Sequence, residues 1–482
     1  MAPRHKDRLS AVDASFLLQE RGGAHMHVGA VLLFEGPAPS YEDLLEQVES
    51  RLHLVPRYRQ KLAFPPFGSG RPLWVDDPRF NLEYHVRITA LPRPGALEQL
   101  LSLTGRIFSQ RLDRSKPLWE NWLVHGLEGG RFAIISKTHH ALVDGVGGID
   151  LASVLFDTSP VPERVEPEPW TPQPEPSAAE LLAETAKDVV REPAEIARKG
   201  VAAARDPLRA LGTLRESAEG LGEVVWAGLN PAPDIPVNVP IGPHRRLARV
   251  RAQLEDFKLV KNTFGGTVND VVLAVVAGGL RNWLRSRGVR TEGLELRALV
   301  PVSIRGEGEE RDLGNRIAAM RGPLPVYVND PVERLRLVQE GMGELKDSKQ
   351  ALGAEVIAGL TGFAPPTLLA QASRLNFSTR LFNLIVTNVP GPQFPLYLIG
   401  RELLELIPVA FLPEDHALAV AIISYNGMVD FGLLADYDAM PDVDFVTSAI
   451  TESLVELVEA ARAAGGKARK GRGRAATASS SS

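Results

Sequence analysis

Thr138-His139-His140-Ala141-Leu142-Val143-Asp144-Gly145 decides how this chain reads: two adjacent histidines, three mostly apolar residues, then Asp-Gly, the pattern HHxxxDG. The run before it, Arg131-Phe132-Ala133-Ile134-Ile135-Ser136, reads as a buried strand. A strand that ends in His-His sets an imidazole at a sheet edge, where a rigid scaffold can aim it. Gly145, Gly147 and Gly148 let the backbone turn sharply and let a ligand come close. Imidazole is the side chain best matched to moving a proton near neutral pH. A metal site is the competing reading, since His and Asp are common ligands. Neighbours at a strand end point to opposite sides, however, and converge poorly on one ion. No metal is expected.

Working outward, Leu118–Gly126 and Phe132–Thr138 read as a hairpin around Glu128-Gly129-Gly130, its second strand delivering the histidines. Ser10 and Asp13 look like a capping box opening a short helix. His27–Phe34 and Tyr84–Ile88 read as strands, and Tyr41–Leu54 and Ala96–Leu112 as helices. Residues 1–158 are thus expected to form one mixed α/β domain. From Ser159 to Pro176 seven prolines alternate with glutamates, a density no helix survives, so an extended linker begins there. A helical, Ala- and Leu-rich pattern broken by Pro193 and Pro207 carries the connector to 235.

The remainder, 236–465, repeats the mixed pattern. Thr267 and Asp270 fit a capping box for a helix over Val268–Arg287. Strands follow around Leu296–Val302, Asn383–Thr387, Ala417–Ser424 and Val429–Leu434, with a closing helix over Asp442–Ala464. Ala421-Ile422-Ile423-Ser424 echoes Ala133-Ile134-Ile135-Ser136, which suggests a duplicated fold. The second copy has Tyr425-Asn426-Gly427 where the first has its histidines, so only one half would hold the base. The apolar stretch Leu403–Leu412 reads as a core strand or as the wall of an apolar channel. Residues 466–482, with five basic residues and then Ala, Thr and Ser, read as a disordered tail that either solubilises or meets anionic lipid.

Composition sets the outer limits. The chain has 482 residues, 44% apolar and 23% charged, with 54 basic against 59 acidic side chains and a net charge of −5. That is a soluble globular composition, long enough for two domains, without the basic field that nucleic acid requires. It has no cysteine, which removes disulfides, thiolate metal sites and a cysteine nucleophile, and fits a reducing compartment. The N-terminal residues lack the apolar core of a signal peptide, and the apolar run Val271–Leu280 stops at Arg281, short of a bilayer span. A cytoplasmic location is expected.

HHxxxDG has companions. Upstream stands Leu112-Asp113-Arg114-Ser115-Lys116-Pro117-Leu118-Trp119-Glu120. Downstream stand Thr267-Val268-Asn269-Asp270, Pro301-Val302-Ser303-Ile304-Arg305, Gly314-Asn315-Arg316 and Thr387-Asn388-Val389-Pro390-Gly391-Pro392. In this order and spacing the set resembles the bacterial wax ester synthase/acyl-CoA:diacylglycerol acyltransferase family, within the chloramphenicol acetyltransferase superfamily. The resemblance spans Leu9 to about Ala464. It implies an α/β fold of two chloramphenicol acetyltransferase-like domains, each a mixed sheet flanked by helices, with a channel between them. Acyl-CoA would enter from one face and the acceptor, diacylglycerol or a long-chain alcohol, from the other. Acyl-CoA is then a substrate and no cofactor is implied. Peripheral association with the inner membrane or with lipid inclusions is expected.

By this resemblance His140 is the general base, taking the acceptor hydroxyl proton as the oxygen attacks the thioester. His139 is read as structural. Asp144 either orients the imidazole or pairs with an arginine away from the channel, the second being preferred, and Gly145 supplies the turn. Asn269 and Asp270 match the family's ND motif. They either serve an oxyanion at a helix N-terminus or simply cap that helix. Pro117, Leu118 and Trp119 match its PLW motif, which shapes the substrate site, although a tryptophan at a strand start is equally good core material. Two rivals remain: a condensation-type acyltransferase fed by a carrier protein, and a non-catalytic lipid-inclusion protein on the same fold.

Overall fold

The computed structural model describes residues 7–68, 70–142, 156–162, 165–187, 230–303, 317–347 and 377–478. The first half contributes α1 (Ala11–Gln19), β1 (His27–Phe34), α2 (Tyr41–Arg51), β2 (Gln60–Ala63), β3 (Leu73–Asp76), α3 (Leu82–His85), β4 (Val86–Ala90), α4 (Leu97–Phe108), β5 (Trp119–His125) and β6 (Phe132–His139). The second contributes β7 (Arg245–Gln253), α5 (Leu254–Phe264), α6 (Val268–Ser286), β8 (Leu296–Ser303), β9 (Ile317–Leu324), α7 (Pro331–Asp347) and β10 (Leu384–Pro390). It continues with β11 (Tyr397–Leu398), β12 (Arg401–Val409), β13 (Leu418–Tyr425), β14 (Met428–Asp436) and α8 (Val443–Ala478).

Two six-stranded mixed sheets carry the architecture, in the orders β11-β12-β1-β6-β5-β4 and β7-β14-β13-β10-β8-β9. The α/β expectation of two sheets flanked by helices holds. Sheet membership does not follow chain order, however: β12, from the second half, pairs antiparallel with β1 from Gly29↔Val409 to Phe34↔Leu403. Without it β1 would be an open edge, and an unpaired edge is a liability that folds cover. The stretch Leu403–Leu412 is therefore mainly strand, alternately buried and half-exposed, rather than a free channel wall.

The hairpin places β6 between β5 and β1, with His27 opposite His139. Its strand echo, β13, is likewise interior to its sheet, between β14 and parallel β10. There Tyr425 ends the strand, and Asn426 and Gly427 turn the chain at positive φ. The Thr267–Asp270 capping box is present, and α6 is buried over most of Asp270–Leu284, which accounts for its apolar run. No single helix among the described residues is long and apolar enough to cross a membrane.

Boundaries move where local turns win. The strand expected at Tyr84–Ile88 begins at Val86, because Asn81 accepts the Glu83 N–H and caps one helical turn first. Helix α2 ends at Arg51 and tightens into a 3-10 turn, Leu52–Leu54, ahead of Pro56. The described parts of the Pro-rich connector, 159–162 and 165–177, have no regular structure but are pinned: Arg59 stacks on Trp170, and the Gln173 N–H donates to Asp76. A helix follows at 178–187; the rest of the expected helical connector lies outside the described residues. The backbone of α8 continues to Ala478, through the basic run where composition predicts disorder. Its packed turns, Val446, Ile450, Leu454 and Leu457, supply the nucleus, and extending an existing helix costs far less than starting one.

Candidate functional site

The two motif histidines part company at the end of β6. His139 is the last strand residue and is about 1% exposed. Its Nδ1 accepts the Ala141 N–H at 3.0 Å, which assigns the ring proton to Nε2. That Nε2 lies 3.9 Å from the Glu20 carboxylate. His140 opens the 3-10 turn His140–Leu142, and its backbone N–H donates to the Met26 carbonyl at 2.9 Å. Its imidazole stacks on Phe16 at 4.0 Å between ring centroids and meets the edge of Phe411 at 5.3 Å. Phe377 completes the aromatic surround, 6.1 Å from Phe16 and 5.9 Å from Phe411. His139 is sealed in the wall, while His140 is only half-buried.

This apolar wrapping sets the basicity of His140. Burial pushes its pKa down from 6.5 to about 4. Its own backbone carbonyl opposes that shift, but among the described residues Nδ1 has no partner of hydrogen-bond geometry. The imidazole is therefore neutral at physiological pH and available as a proton acceptor. His139 is pushed down further, to about 3, by burial and then by the Arg114 cation and His140.

Behind the histidines lies a charged network that the motif alone does not reveal. Arg114 donates through Nε and Nη2 to Glu20 at 2.8 and 2.5 Å, and through Nη2 to the Leu17 carbonyl at 2.8 Å. The other Glu20 oxygen faces His27 Nε2 at 3.6 Å. His25 and His27 are both buried and both held neutral chiefly by that burial, His25 at about 4. On the same face of β6, Lys137 is fully buried and donates to the Ile107 and Gln110 carbonyls at the C-terminal end of α4. A cation there completes the unsatisfied carbonyls of the helix end. Arg114 sits inside a stretch already singled out in the sequence. Glu20 and His25 carry no local signal, because only the tertiary fold brings them beneath the histidines, whereas Lys137 shares a face with His139 through the alternation of β6 itself.

The other motif residues occupy two further places. Leu118 and Trp119 belong to the core of the first half. The Leu118 carbonyl accepts the His139 N–H at 3.0 Å, and Trp119 stacks on Tyr58 and His85 while its Nε1 donates to the Tyr58 carbonyl. The Pro117-Leu118-Trp119 motif therefore braces the strand that carries His139, and Trp119 is core material. Asp270 caps α6, its Oδ2 accepting from the Thr267 N–H and Oγ1 at 2.7 and 2.8 Å. Asn269 Oδ1 accepts from Asn388 Nδ2 at 3.3 Å, which joins two of the motifs read from the sequence and leaves the Asn269 N–H donors unspent. Among the described residues, no hydrogen bond or ring contact joins Asn269 or Asp270 to His140. Asp144 and Gly145 lie outside the described residues, as do Ile304, Arg305, Gly314, Asn315 and Arg316.

Residues 9–272 match the wax ester synthase/diacylglycerol acyltransferase catalytic domain, and residues 313–458 match the C-terminal domain of that family. This chain belongs to the wax ester synthase/diacylglycerol acyltransferase family. A probable diacylglycerol O-acyltransferase of Mycobacterium tuberculosis is 33% identical over 464 residues, covering 94% of this chain and 96% of that one. Among solved structures, the wax ester synthase/diacylglycerol acyltransferase of Marinobacter aquaeolei VT8 is 28% identical with a TM-score of 0.66, covering 94% of this chain and 99% of that one. The starter condensation domain of rhizomide synthetase superposes with a TM-score of 0.58 at 12% identity, covering 95% and 94% of the two chains. That likeness is one of fold alone.

Proposed function

We propose that this member of the family transfers a long-chain acyl group from acyl-CoA to the hydroxyl of diacylglycerol or a long-chain alcohol, with His140 as the general base. Acyl transfer to such hydroxyls is the activity that family membership carries. The observation that supports the base is the state of His140: a neutral, half-buried imidazole, stacked on Phe16, directly after the last residue of β6. His140 takes the hydroxyl proton as the acceptor oxygen bonds to the thioester carbonyl carbon. The tetrahedral intermediate then collapses with cleavage of the C–S bond, and the same proton passes to the departing CoA thiolate. General-base assistance of this kind contributes roughly 10²–10⁴ in rate. The transfer is redox-neutral and asks for no cofactor beyond the acyl-CoA substrate. Asn269, its carbonyl engaged by Asn388, is the proposed donor to the oxyanion.

The acceptors dissolve in lipid, so we place the enzyme at a lipid surface, the inner membrane or an inclusion. Phe64 and Phe67 support this, since Phe67 is 99% exposed and Phe64 is 48% exposed on one loop. The deciding experiment gives purified protein palmitoyl-CoA with and without dioleoylglycerol or hexadecanol. CoA release only with an acceptor establishes the transfer. Equal release without one would make it a thioesterase, and turnover only from an acyl-carrier protein would make it a condensation-type enzyme.

A further inference from the structure

Helix α1 has nine residues, too few to hold its place unaided, and no basic side chain in its last turn. Its C-terminal carbonyls favour a cation brought from elsewhere in the chain. Arg114 supplies it. Its Nη2 donates to the Leu17 carbonyl at 2.8 Å, and Nε and Nη2 grip the carboxylate of Glu20, the residue that caps α1. The turn Asp113–Lys116 aims the guanidinium: the Asp113 side chain accepts the Ser115 N–H at 2.9 Å, and its carbonyl accepts the Lys116 N–H at 3.1 Å. Phe16, one residue before Leu17, is the ring stacked on His140, and α1 packs along the 3-10 turn that His140 opens. One side chain thus ties the helix end that bears Phe16 to the segment leading into β5, where the Leu118 carbonyl holds the His139 N–H.

We propose that Arg114 is a positioning residue for the reaction: it clamps the C-terminal end of α1 and so seats Phe16 on the His140 imidazole. The inference rests on His140 as the base and names what aligns it. Geometry separates this role from plain charge neutralisation. The guanidinium meets Glu20 through two nitrogens and reaches Leu17 through one of them. A lysine ammonium would still neutralise Glu20 but cannot reproduce that forked grip. The Glu20 side chain is buried while that of Arg114 is 36% exposed, so the clamp closes from outside. Other contacts keep the helix on the protein: Ala14 and Leu17 lie in one core cluster, Phe16 in another, and Arg111 donates to the Gly22 carbonyl beyond. Loss of Arg114 therefore shifts the helix end rather than detaching it. A displacement of ~1 Å near the reacting groups is enough to cost about 10²-fold in rate.

The test compares wild type with Arg114→Lys, Phe16→Leu and the two combined, using palmitoyl-CoA and whichever of dioleoylglycerol and hexadecanol wild type acylates faster. For Arg114→Lys, kcat is expected to fall about tenfold or more, with both KM values unchanged and Tm close to wild type. The acid limb of kcat/KM is expected to move up from about 4 toward 6.5, because a loosened Phe16 admits water to the imidazole. In the Phe16→Leu background the same substitution is expected to change kcat by less than about twofold, since the ring it acts through is gone. Glu20→Gln with Arg114→Met removes both charges and the clamp together, so kcat is expected to fall as in Arg114→Lys. Turnover retained in that pair would mean that neutralising Glu20 is the whole role, and the pair also decides the matter where Arg114→Lys does not fold. An unchanged kcat, losses that multiply with Phe16→Leu, a raised KM for palmitoyl-CoA alone, or a lowered Tm with turnover intact would each overturn the assignment. So would loss of folding in every Arg114 variant. An active His140→Ala protein refutes the base on which the inference stands. A wild type that acylates neither acceptor refutes the proposed activity itself.

Discussion

The wrapping of His140 by Phe16 and Phe411 makes the acid limb of the pH–rate profile a direct test of its role. Burial lowers its pKa from 6.5 to about 4, a displacement of ~2.5 units, or ~3.4 kcal/mol against the charged ring at 1.36 kcal/mol per unit. A base must be deprotonated, so kcat/KM falls as pH drops through the folded-state value. With that value near 4, ~90% of the imidazole is still neutral at pH 5, against ~3% for an ordinary histidine. Wild-type kcat/KM should therefore stay nearly flat from pH 7 to pH 5. Phe16→Ala removes the ring stacked at 4.0 Å and admits water, which moves the limb toward 6.5. Complete return would produce a ~25-fold drop between pH 7 and pH 5, against ~1.1-fold in wild type. The sign for stability runs the same way. The unfolded chain binds the proton at ~6.5 and the folded chain only near 4, so this histidine draws stability down as pH falls through that window. Circular dichroism at each pH must accompany the kinetics for that reason. Phe16→Leu is the milder companion, since truncating a buried phenylalanine to alanine typically costs ~3–5 kcal/mol. CoA release in quenched samples, quantified chromatographically, is the readout. A wild-type limb near pH 6.5, or profiles unchanged by both Phe16 variants, would refute the reasoning.

Three further outcomes are expected. His140→Ala should lower kcat by roughly 10²–10⁴ with the fold intact. His139→Ala should retain most turnover but lose roughly 1–3 kcal/mol of stability with the bond to Ala141, as denaturant unfolding would show; equal and total loss in both would contradict the division of roles. Gly432→Ala should destabilise by about 1–3 kcal/mol in the same assay, because an added Cβ would overlap the Pro408 carbonyl where β14 crosses β12; a neutral result would mean that the sheets are free to separate there. Asp144→Asn should lower Tm and activity together if the aspartate pairs with an arginine; a stable but inactive protein would show instead that it orients His140.

Most elements and the family were legible in local patterns along the chain. The hairpin around Gly129 and Gly130, the α6 capping box at Thr267 and Asp270, and the strand at His27–Phe34 are local events, written in turn residues, caps and periodicity. HHxxxDG and its companion motifs were enough to name the family and to single out an imidazole as the proposed base. The choice of His140 over His139 was already offered by the resemblance, but how basic its ring is lay beyond any local pattern. That depends on Phe16, Phe377 and Phe411, scattered along the chain and brought onto one ring by packing. The insertion of β12 beside β1, and the network from Arg114 through Glu20 to His27 and His139, were equally hidden. Strand partners are chosen by long-range burial and edge pairing rather than by the strand's own residues. The same holds for Gln19: a glutamine at the end of a short helix looks like surface, and packing alone buries it.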